Sequence, residues 1–446
     1  MMKKLGIGLL VVALAFFTFV LVQKGKIEDK LTALLHDAQV SAKSIAINIF
    51  PSPSVVLDVV RFQTAQQSYV GAEHIKVNFD WATFFFGNNI ESIEFTNIEV
   101  GQENGVTLKN ASGELQLMNL SPEAAAKWLA DYQKGVQLKW KNPPGFVLQM
   151  SAKTASDDEI IAHVKGSLHG NEVVFSRSSA LIEFHQKRLF NAEKVQIEAG
   201  KGSISLGQDS YSAVFDGVKI NQSLLISAHF QAQKAPTWHG DLQFNTFHPA
   251  EHSELRVQFE RSNNGQTNYL FNGWNLDTET WLKAFNIPTL VSGQANFKAR
   301  LMSDSMLPME GEIQAEIKDG VISGLSLLEL ISQYVPINYN EEQLQQKETS
   351  TKFEHFEAHF HWNPAMLQIE NAELRHPRFV VRSVGDIDLV HGQCNVNSEI
   401  SVNDARYDAL RLPVHFFGDC KSPQYKVKFN RTFRDQLKEF IREKLK

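Results

Sequence analysis

Apolar and polar residues alternate with a period of two along most of the chain. In "SVVLDVV", for example, Val55, Leu57 and Val59 all point to one side of an extended backbone. This period is typical of a β-strand with one buried face and one wet face. The same pattern in "HIKVNFD", "GSISLG", "ELRVQFE", "GEIQAEIKDGVI" and "QYKVKF" predicts a mainly β protein.

Turn signals separate these strands, for example Asn263-Asn264-Gly265 and Asp319-Gly320. Long Val/Ile-rich runs do not alternate with helices, so the pattern does not favour a parallel α/β sheet. Helical patterns are few and short, and they begin near Ile27, Ser121, Asp277 and Ser326. The pattern therefore predicts one long curved antiparallel sheet with a few short helices.

The N-terminal segment Leu5–Val22 is 18 residues long and carries no charge. A helix of this length spans ~27 Å, close to the thickness of the hydrocarbon core, which predicts a transmembrane anchor. A cleaved signal peptide is the alternative, but "QKGKIEDKL" lacks a small-x-small cleavage site. Lysines flank both ends of the span and leave its orientation open. The short tail before residue 5 favours a cytoplasmic N-terminus and export of the rest.

The C-terminal residues 431–446 form an amphipathic pattern. Apolar residues recur on one helical face, and basic residues supply the charge. Such a helix docks either on the sheet or on a membrane surface, and docking on the sheet is the preferred interpretation.

Composition indicates a dry surface for phenylalanine side chains and argues against nucleic-acid binding. The chain contains 31 Phe but only 8 Tyr and 7 Trp, and side chains without a polar group need a dry surface to face. The net charge is -6, and no basic run is present, so nucleic acid is not expected as a partner.

Cys394 and Cys420 are the only cysteines. A hairpin that turns near Tyr407 would pair Cys394 with Cys420, and would also pair Ile400 with Val414 on the same face. This register predicts a disulfide and an oxidising compartment. Two buried free thiols are the alternative.

The stretch "TKFEHFEAHFHW" is the main candidate for catalytic chemistry. On a strand, His355, His359 and His361 share one side, and two histidines at i and i+2 can bind zinc or copper. The opposite side carries Phe356 and Phe360, as in an ordinary half-buried strand. We therefore interpret the histidines as a wet face and predict no metal site, no cofactor and no enzymatic activity. Motifs such as G-x-S-x-G, H-E-x-x-H and CxxC are absent.

Two regions resemble the AsmA-like family of Gram-negative envelope proteins. The first is "AKSIAINIFPSPSVVLDVVRF" with "AEHIKVNFDWATFFFGNNIESIEFTNIEV". The second is "GEIQAEIKDGVISGLSLLELI", followed by the strand region that ends in "LRLPVHFFGDCKSPQYKV". Together they cover about half of the chain. The predicted division of the chain is a cytoplasmic tail, a transmembrane anchor, an N-terminal AsmA-like β-region, a central β-region, a C-terminal AsmA-like β-region and a basic amphipathic helix, at residues 1–4, 5–22, 23–150, 151–284, 285–430 and 431–446.

The resemblance implies a hydrophobic β-groove, related to bridge-like lipid transfer proteins, that conveys phospholipid from an inner-membrane anchor. The implied location is the inner membrane with the bulk of the chain in the periplasm. The implied partners are phospholipid acyl chains, the inner membrane and an outer-membrane or envelope protein. The candidate groove residues are Val55, Leu57, Val59, Ile75, Val77, Phe79, Ile93, Phe95, Phe356, Phe360, Ile400, Val402, Val414 and Phe416.

Two alternatives to a lipid carrier stay open at this stage. The sheet could pack on itself as an envelope assembly scaffold with a dry core. A metal-dependent periplasmic enzyme that uses His355, His359 and His361 is the third hypothesis.

Overall fold

A computed structural model gives the chain as a mainly β protein. It describes residues 40–63, 68–81, 89–102, 105–121, 140–155, 157–185, 194–207, 209–221, 224–234, 237–246, 253–262, 265–284, 291–303, 309–335, 349–407 and 410–428. Scattered residues within 28–36, 124–131 and 431–442, together with residue 289, are also described. The predicted mainly β, antiparallel fold class is confirmed, because the described residues contain 24 strands in an antiparallel sheet.

The chain divides into two compact units. Unit 1 comprises residues 1–185 and 198–208, and unit 2 comprises residues 186–197 and 209–446. The strands of unit 1 are β1 (Val40–Ser41), β2 (Ser44–Asn48), β3 (Ser54–Gln63), β4 (Ser68–Asn78), β5 (Ser92–Gln102), β6 (Gly105–Met118), β7 (Gly145–Thr154), β8 (Glu159–His169) and β9 (Glu172–Glu183). The strand β10 (Lys194–Ala199) crosses the division, and β11 (Lys201–Leu206) returns to pair with β9 in unit 1.

Unit 2 contains the remaining strands in an unbroken order, each antiparallel to the next. They are β12 (Ser210–Ile220), β13 (Leu224–Gln233), β14 (His239–Thr246), β15 (Ser253–Arg261), β16 (Thr267–Asp277), β17 (Val291–Ser303), β18 (Glu310–Ser323), β19 (Ser350–Trp362), β20 (Met366–His376), β21 (Phe379–Asp388), β22 (Gln393–Val402), β23 (Arg411–Asp419) and β24 (Gln424–Val427). The helices are α1 (Thr278–Ala284), α2 (Leu327–Tyr334) and a 3-10 turn (Ala405–Tyr407).

Both helices of unit 2 begin where the sequence predicts. The Asp277 carboxylate accepts a hydrogen bond from the Thr280 N–H (3.2 Å), and the Ser326 hydroxyl accepts one from the Glu329 N–H (3.3 Å). Such caps satisfy amide groups that have no partner in the first helical turn. The Ser121 hydroxyl accepts a hydrogen bond from the Ala124 N–H in the same way (3.1 Å), where the sequence predicts a further helix.

The predicted membrane span at residues 5–22 lies outside the described residues. Within the part of the chain that the structure describes, no helix is both long and apolar enough to cross a bilayer. Most of the predicted C-terminal helix is likewise outside the described residues. Its residue Phe433 is described and lies buried in the core of unit 2.

The predicted turn at Asp319-Gly320 is wrong, because both residues lie inside β18. Asp319 has a φ of +49°, and the pairing of β17 with β18 shifts there. A short polar residue tolerates this left-handed conformation, so the dipeptide forms a bulge in a continuous strand. On the facing strand, Glu354 is exposed and Phe353 is buried, which explains why Glu354 breaks the apolar pattern of "TKFEHFEAHFHW".

The predicted disulfide between Cys394 and Cys420 is present, with a Cα–Cα distance of 5.1 Å. The predicted register of its hairpin is wrong by two residues, because Cys394 faces Gly418, and Ile400 faces Leu412. A shift of two keeps every side chain on its predicted face. Cys420 follows the end of β23, where its N–H donates to the carbonyl of Gly392 (2.9 Å).

Candidate functional site

The apolar face of unit 2 is built by register. Facing residues on successive strands carry apolar side chains on one side, so a single row crosses the unit from β13 to β23. One such row contains Phe230, Leu242, Val257, Phe271, Ala299, Ile313, Phe360, Ile369, Gly385, Val396 and Phe416. Because side chains alternate along each strand, the residues on either side of this row point to the polar face.

From β13 to β19, much of this apolar face remains partly accessible. The aromatic rings of Phe244, Phe271, Phe297 and Phe360 are only half-buried, although they lie among buried aliphatic neighbours. Trp281 of α1 covers one part of the face near Leu255 and Leu276. Half-buried phenylalanine side chains arranged in rows form a surface that an apolar ligand could cover.

The aromatic rings on this face contact one another. Phe230 and Phe259 are stacked with centroids 6.2 Å apart, and Tyr269 and Phe271 lie 6.3 Å apart. Burial raises the pKa of the Tyr269 hydroxyl, so this group stays neutral and adds no charge to the surface. We call the accessible part of the apolar face, from β13 to β19, the aromatic face.

Another part of the same apolar side is closed by the protein itself. The helix α2 places Leu327, Leu330 and Ile331 into a cluster with residues of β17 to β24, and Phe433 completes it. Ile331 has no exposed surface. The apolar side of unit 2 is therefore open in one part and filled in another.

Four candidate groove residues belong to the filled part. Ile400, Val402, Val414 and Phe416 share the apolar side as expected, but all four are buried in the cluster beneath α2. They form part of the protein core and offer no surface to a ligand. Phe360 and Phe356 lie on the same side, and both are half-buried.

In unit 1, the candidate residues face one another as the sequence predicts. Val55 pairs with Val77, and Leu57 pairs with Ile75. The next strand continues the two rows, since Val77 pairs with Ile93 and Ile75 with Phe95. Phe79 packs against the same clusters.

Val59 does not share this face. It has a φ of +49° and is 41% exposed, while its neighbour Val60 takes the buried position. The left-handed conformation interrupts the alternation of β3, so every apolar residue after it changes parity. The strict period-two interpretation of "SVVLDVV" fails at this one position.

The three histidines lie on the polar side of β19, as predicted. His359 faces Gln314 and Asn371, and His361 faces Glu312 and Gln368. His355 lies 3.6 Å from the Glu316 carboxylate and 3.9 Å from that of Glu357. Among the residues that the structure describes, no group of three His, Cys, Asp or Glu side chains is arranged to hold a metal ion.

The polar side of unit 2 carries charged side chains that form ion pairs. The Arg375 guanidinium donates to Glu373 (2.7 Å) and Arg382 donates to its other oxygen (2.8 Å), and these bonds lower the pKa of Glu373. A cavity of about 880 Å³ is lined by two polar-side rows, which include Asp241, Arg300 and His361, together with the residues between them. Phe259, Tyr269 and Leu301 also belong to its lining, so the cavity has mixed polarity and shares residues with the aromatic face.

Sequence reasoning named no candidate between residues 151 and 284, yet much of the aromatic face comes from there. The residues missed were Phe230, Leu242, Phe244, Tyr269 and Phe271. Their signal was present, since "LLISAHFQAQ" and "WHGDLQFNTF" alternate as clearly as the strands of the two regions that resemble a family. The resemblance directed the choice of residues away from the middle of the chain.

Comparison with known proteins places one relative beside this chain. An uncharacterized protein of Haemophilus influenzae is 26% identical over 448 residues, with all of both chains covered. No protein-family model matches the chain. No solved structure matches it.

Proposed function

We propose that the chain is an inner-membrane-anchored periplasmic protein that binds phospholipid acyl chains on the aromatic face and conveys them within the envelope. The observation that carries this proposal is the row of half-buried phenylalanines from β13 to β19. Each buried methylene contributes ~0.8 kcal/mol, so an acyl chain laid across several strands gains a useful binding energy without any specific polar contact.

Two further features support the location. The uncharged segment Leu5–Val22 has the length of a membrane span, and the Cys394–Cys420 disulfide is typical of an oxidising compartment. The resemblance to the AsmA-like family points to the same place. Phospholipid, the inner membrane and an outer-membrane or envelope protein are the proposed partners.

The proposal is tested by photo-cross-linking of the full chain in cells. A photoreactive phenylalanine analogue replaces Phe360 or Phe271, which lie on the aromatic face. The matched controls place the same analogue at His359 or Asn272, the adjacent residues on the same strands with opposite side-chain direction. We expect phospholipid adducts, detected by mass spectrometry, at Phe360 and Phe271 and a much lower yield at the two controls.

Equal adduct yields on both sides would contradict a lipid-binding face, because they would report random contact with membrane. Absence of lipid from all four positions would favour the second candidate, an assembly scaffold that carries no lipid. The filled cluster under α2 is the specific observation that favours this scaffold. Its prediction is a protein cross-link at Phe360 in place of a lipid adduct.

The metal-dependent enzyme is not proposed further. The Glu316 and Glu357 carboxylates are the ones that lie near His355. Among the described residues, no three ligands are arranged around this histidine to hold a metal ion.

A further inference from the structure

Two large apolar side chains are exposed at one end of the unit 1 sheet, and a half-buried tryptophan lies beside one of them. Phe50 is 65% exposed in the turn between β2 and β3, and Met118 is 46% exposed at the last position of β6. Trp81 follows β4, and its ring lies 5.3 Å from that of Phe50. We call these three residues the apolar rim.

The register places the rim at a single end of the sheet. Asn48, Ser54, Asn78, Ser92 and Gln116 face one another in sequence and mark the ends of β2 to β6. Phe50 and Trp81 follow the ends of β2 and β4, and Met118 lies two residues after Gln116 at the end of β6. Since neighbouring strands are ~4.8 Å apart, the rim extends over ~20 Å.

Backbone hydrogen bonds hold the connections that carry the rim. The Phe79 N–H donates to Pro53 (3.0 Å), which joins the end of β4 to the turn that contains Phe50. The Ile90 N–H donates to Leu120 (2.8 Å) and joins the next connection to the end of β6. Ile47 and Val55 are buried in one cluster of unit 1 and Ile90 and Leu120 in another, whereas Phe50 is exposed.

The chemistry of the rim fits a bilayer interface. Trp and other aromatic side chains favour the boundary between hydrocarbon and water. The connections 49–53 and 79–91 contain no Lys or Arg, so attraction to anionic lipid is not the source of binding. Asp80 and Glu91 in these connections carry exposed carboxylates, so the inserting surface is limited to the apolar side chains of the rim, which can enter shallowly between lipid headgroups.

The chain length keeps a bilayer within reach. Leu35 packs against the cluster that contains Ile47 and Val55. Only residues 23–34 separate Leu35 from the predicted span, and twelve residues reach at most ~42 Å when extended. Unit 1 therefore stays close to the membrane that would hold Leu5–Val22.

We propose that the apolar rim of Phe50, Trp81 and Met118 rests in the interface of the bilayer that holds the N-terminal span. The proposal depends on that span and is independent of lipid binding on the aromatic face. The rim would fix the angle at which unit 1 leaves the membrane.

The test uses the full chain incorporated into phosphatidylcholine vesicles, with a nitroxide attached to Phe50→Cys or to Met118→Cys. The native cysteines are joined in the disulfide and do not react. The control label is Ala46→Cys, which is exposed on β2 four residues from Phe50. The measurement compares collision of each label with oxygen, which enters lipid, and with a nickel chelate, which stays in water.

We expect an oxygen-to-nickel ratio that is several-fold higher at positions 50 and 118 than at position 46. Introducing Phe50→Asp should return the label at position 118 to the ratio of the control. Equal ratios at all three positions, failure of the chain to associate with vesicles, or protection that appears only with anionic lipid would each overturn the proposal. Lipid adducts at Phe360 would be unaffected by any of these results, which separates this inference from the proposed function.

Discussion

The division of the apolar side of unit 2 into an open part and a filled part leads to a quantitative prediction. Ile331 of α2 has no exposed surface, whereas Phe360 on the aromatic face is half-buried. Removing a fully buried isoleucine side chain loses its transfer free energy and leaves a closed cavity, so Ile331→Ala should cost ~3–4 kcal/mol. Removing a half-exposed ring leaves a space that is open to water, so Phe360→Ala should cost only ~1 kcal/mol in lipid-free protein.

The two units need not unfold together, so the readout has to be local to unit 2. Hydrogen exchange of the backbone amides in β20 to β22 reports the free energy of opening those strands. The control is His359→Ala, on the polar side next to Phe360. This substitution should change the free energy of opening by less than ~0.5 kcal/mol.

The result that would refute this reasoning is a cost for Phe360→Ala as large as that for Ile331→Ala. Phe360 would then have to lie in a dry, filled core. The scaffold hypothesis would gain, and the lipid-binding face would lose its main support.

Three further predictions concern stability. Replacing Cys394 and Cys420 with serine should lower the free energy of unfolding of unit 2 by ~3.5 kcal/mol, because their sequence separation is 26 residues; a loss below ~1 kcal/mol in urea titration would contradict this chain-entropy estimate. Val59→Gly should raise the free energy of unfolding of unit 1 by ~0.5 kcal/mol, because relief of the left-handed conformation (~1–2 kcal/mol) exceeds the entropy cost of glycine. A lower free energy of unfolding in this variant would show that Val59 is not strained. Hydrogen bonds from Arg375 and then Arg382 lower the pKa of Glu373 below its usual 4.5, so this group stabilises the fold above that pH and loses its effect as the pH falls through the lowered pKa. Titrations of Glu373→Gln should therefore converge with the native protein in acid, and a constant difference in stability at every pH would refute the assignment.

The period of two was sufficient to predict most of the fold. It assigned Phe356 and Phe360 to one side of β19 and the three histidines to the other, and the register agrees. It succeeded because an antiparallel sheet with one apolar side repeats the same physical constraint at every strand.

Two of the failures have a common physical origin. Val59 and Asp319 both adopt a φ of +49° inside a strand, and each reverses the alternation beyond it. A single left-handed residue is a local backbone event, which the pattern of apolar residues does not encode. Asp319-Gly320 at least carries the composition of a bulge, whereas a valine in this conformation gives no warning.

Whether an apolar face is open or filled was beyond prediction from the sequence. Ile400 and Phe360 lie on strands with the same alternation, and what distinguishes the two residues is that Ile400 lies in the cluster that α2 fills. That position depends on how α2 packs against strands distant in sequence, which is a long-range property. Candidate ligand-facing residues in such a sheet therefore have to be chosen by asking which helix covers each row. By that criterion the middle of the chain, where Trp281 is the one residue of the described helices that packs against the aromatic face, is the better place to look for a ligand than the C-terminal strands.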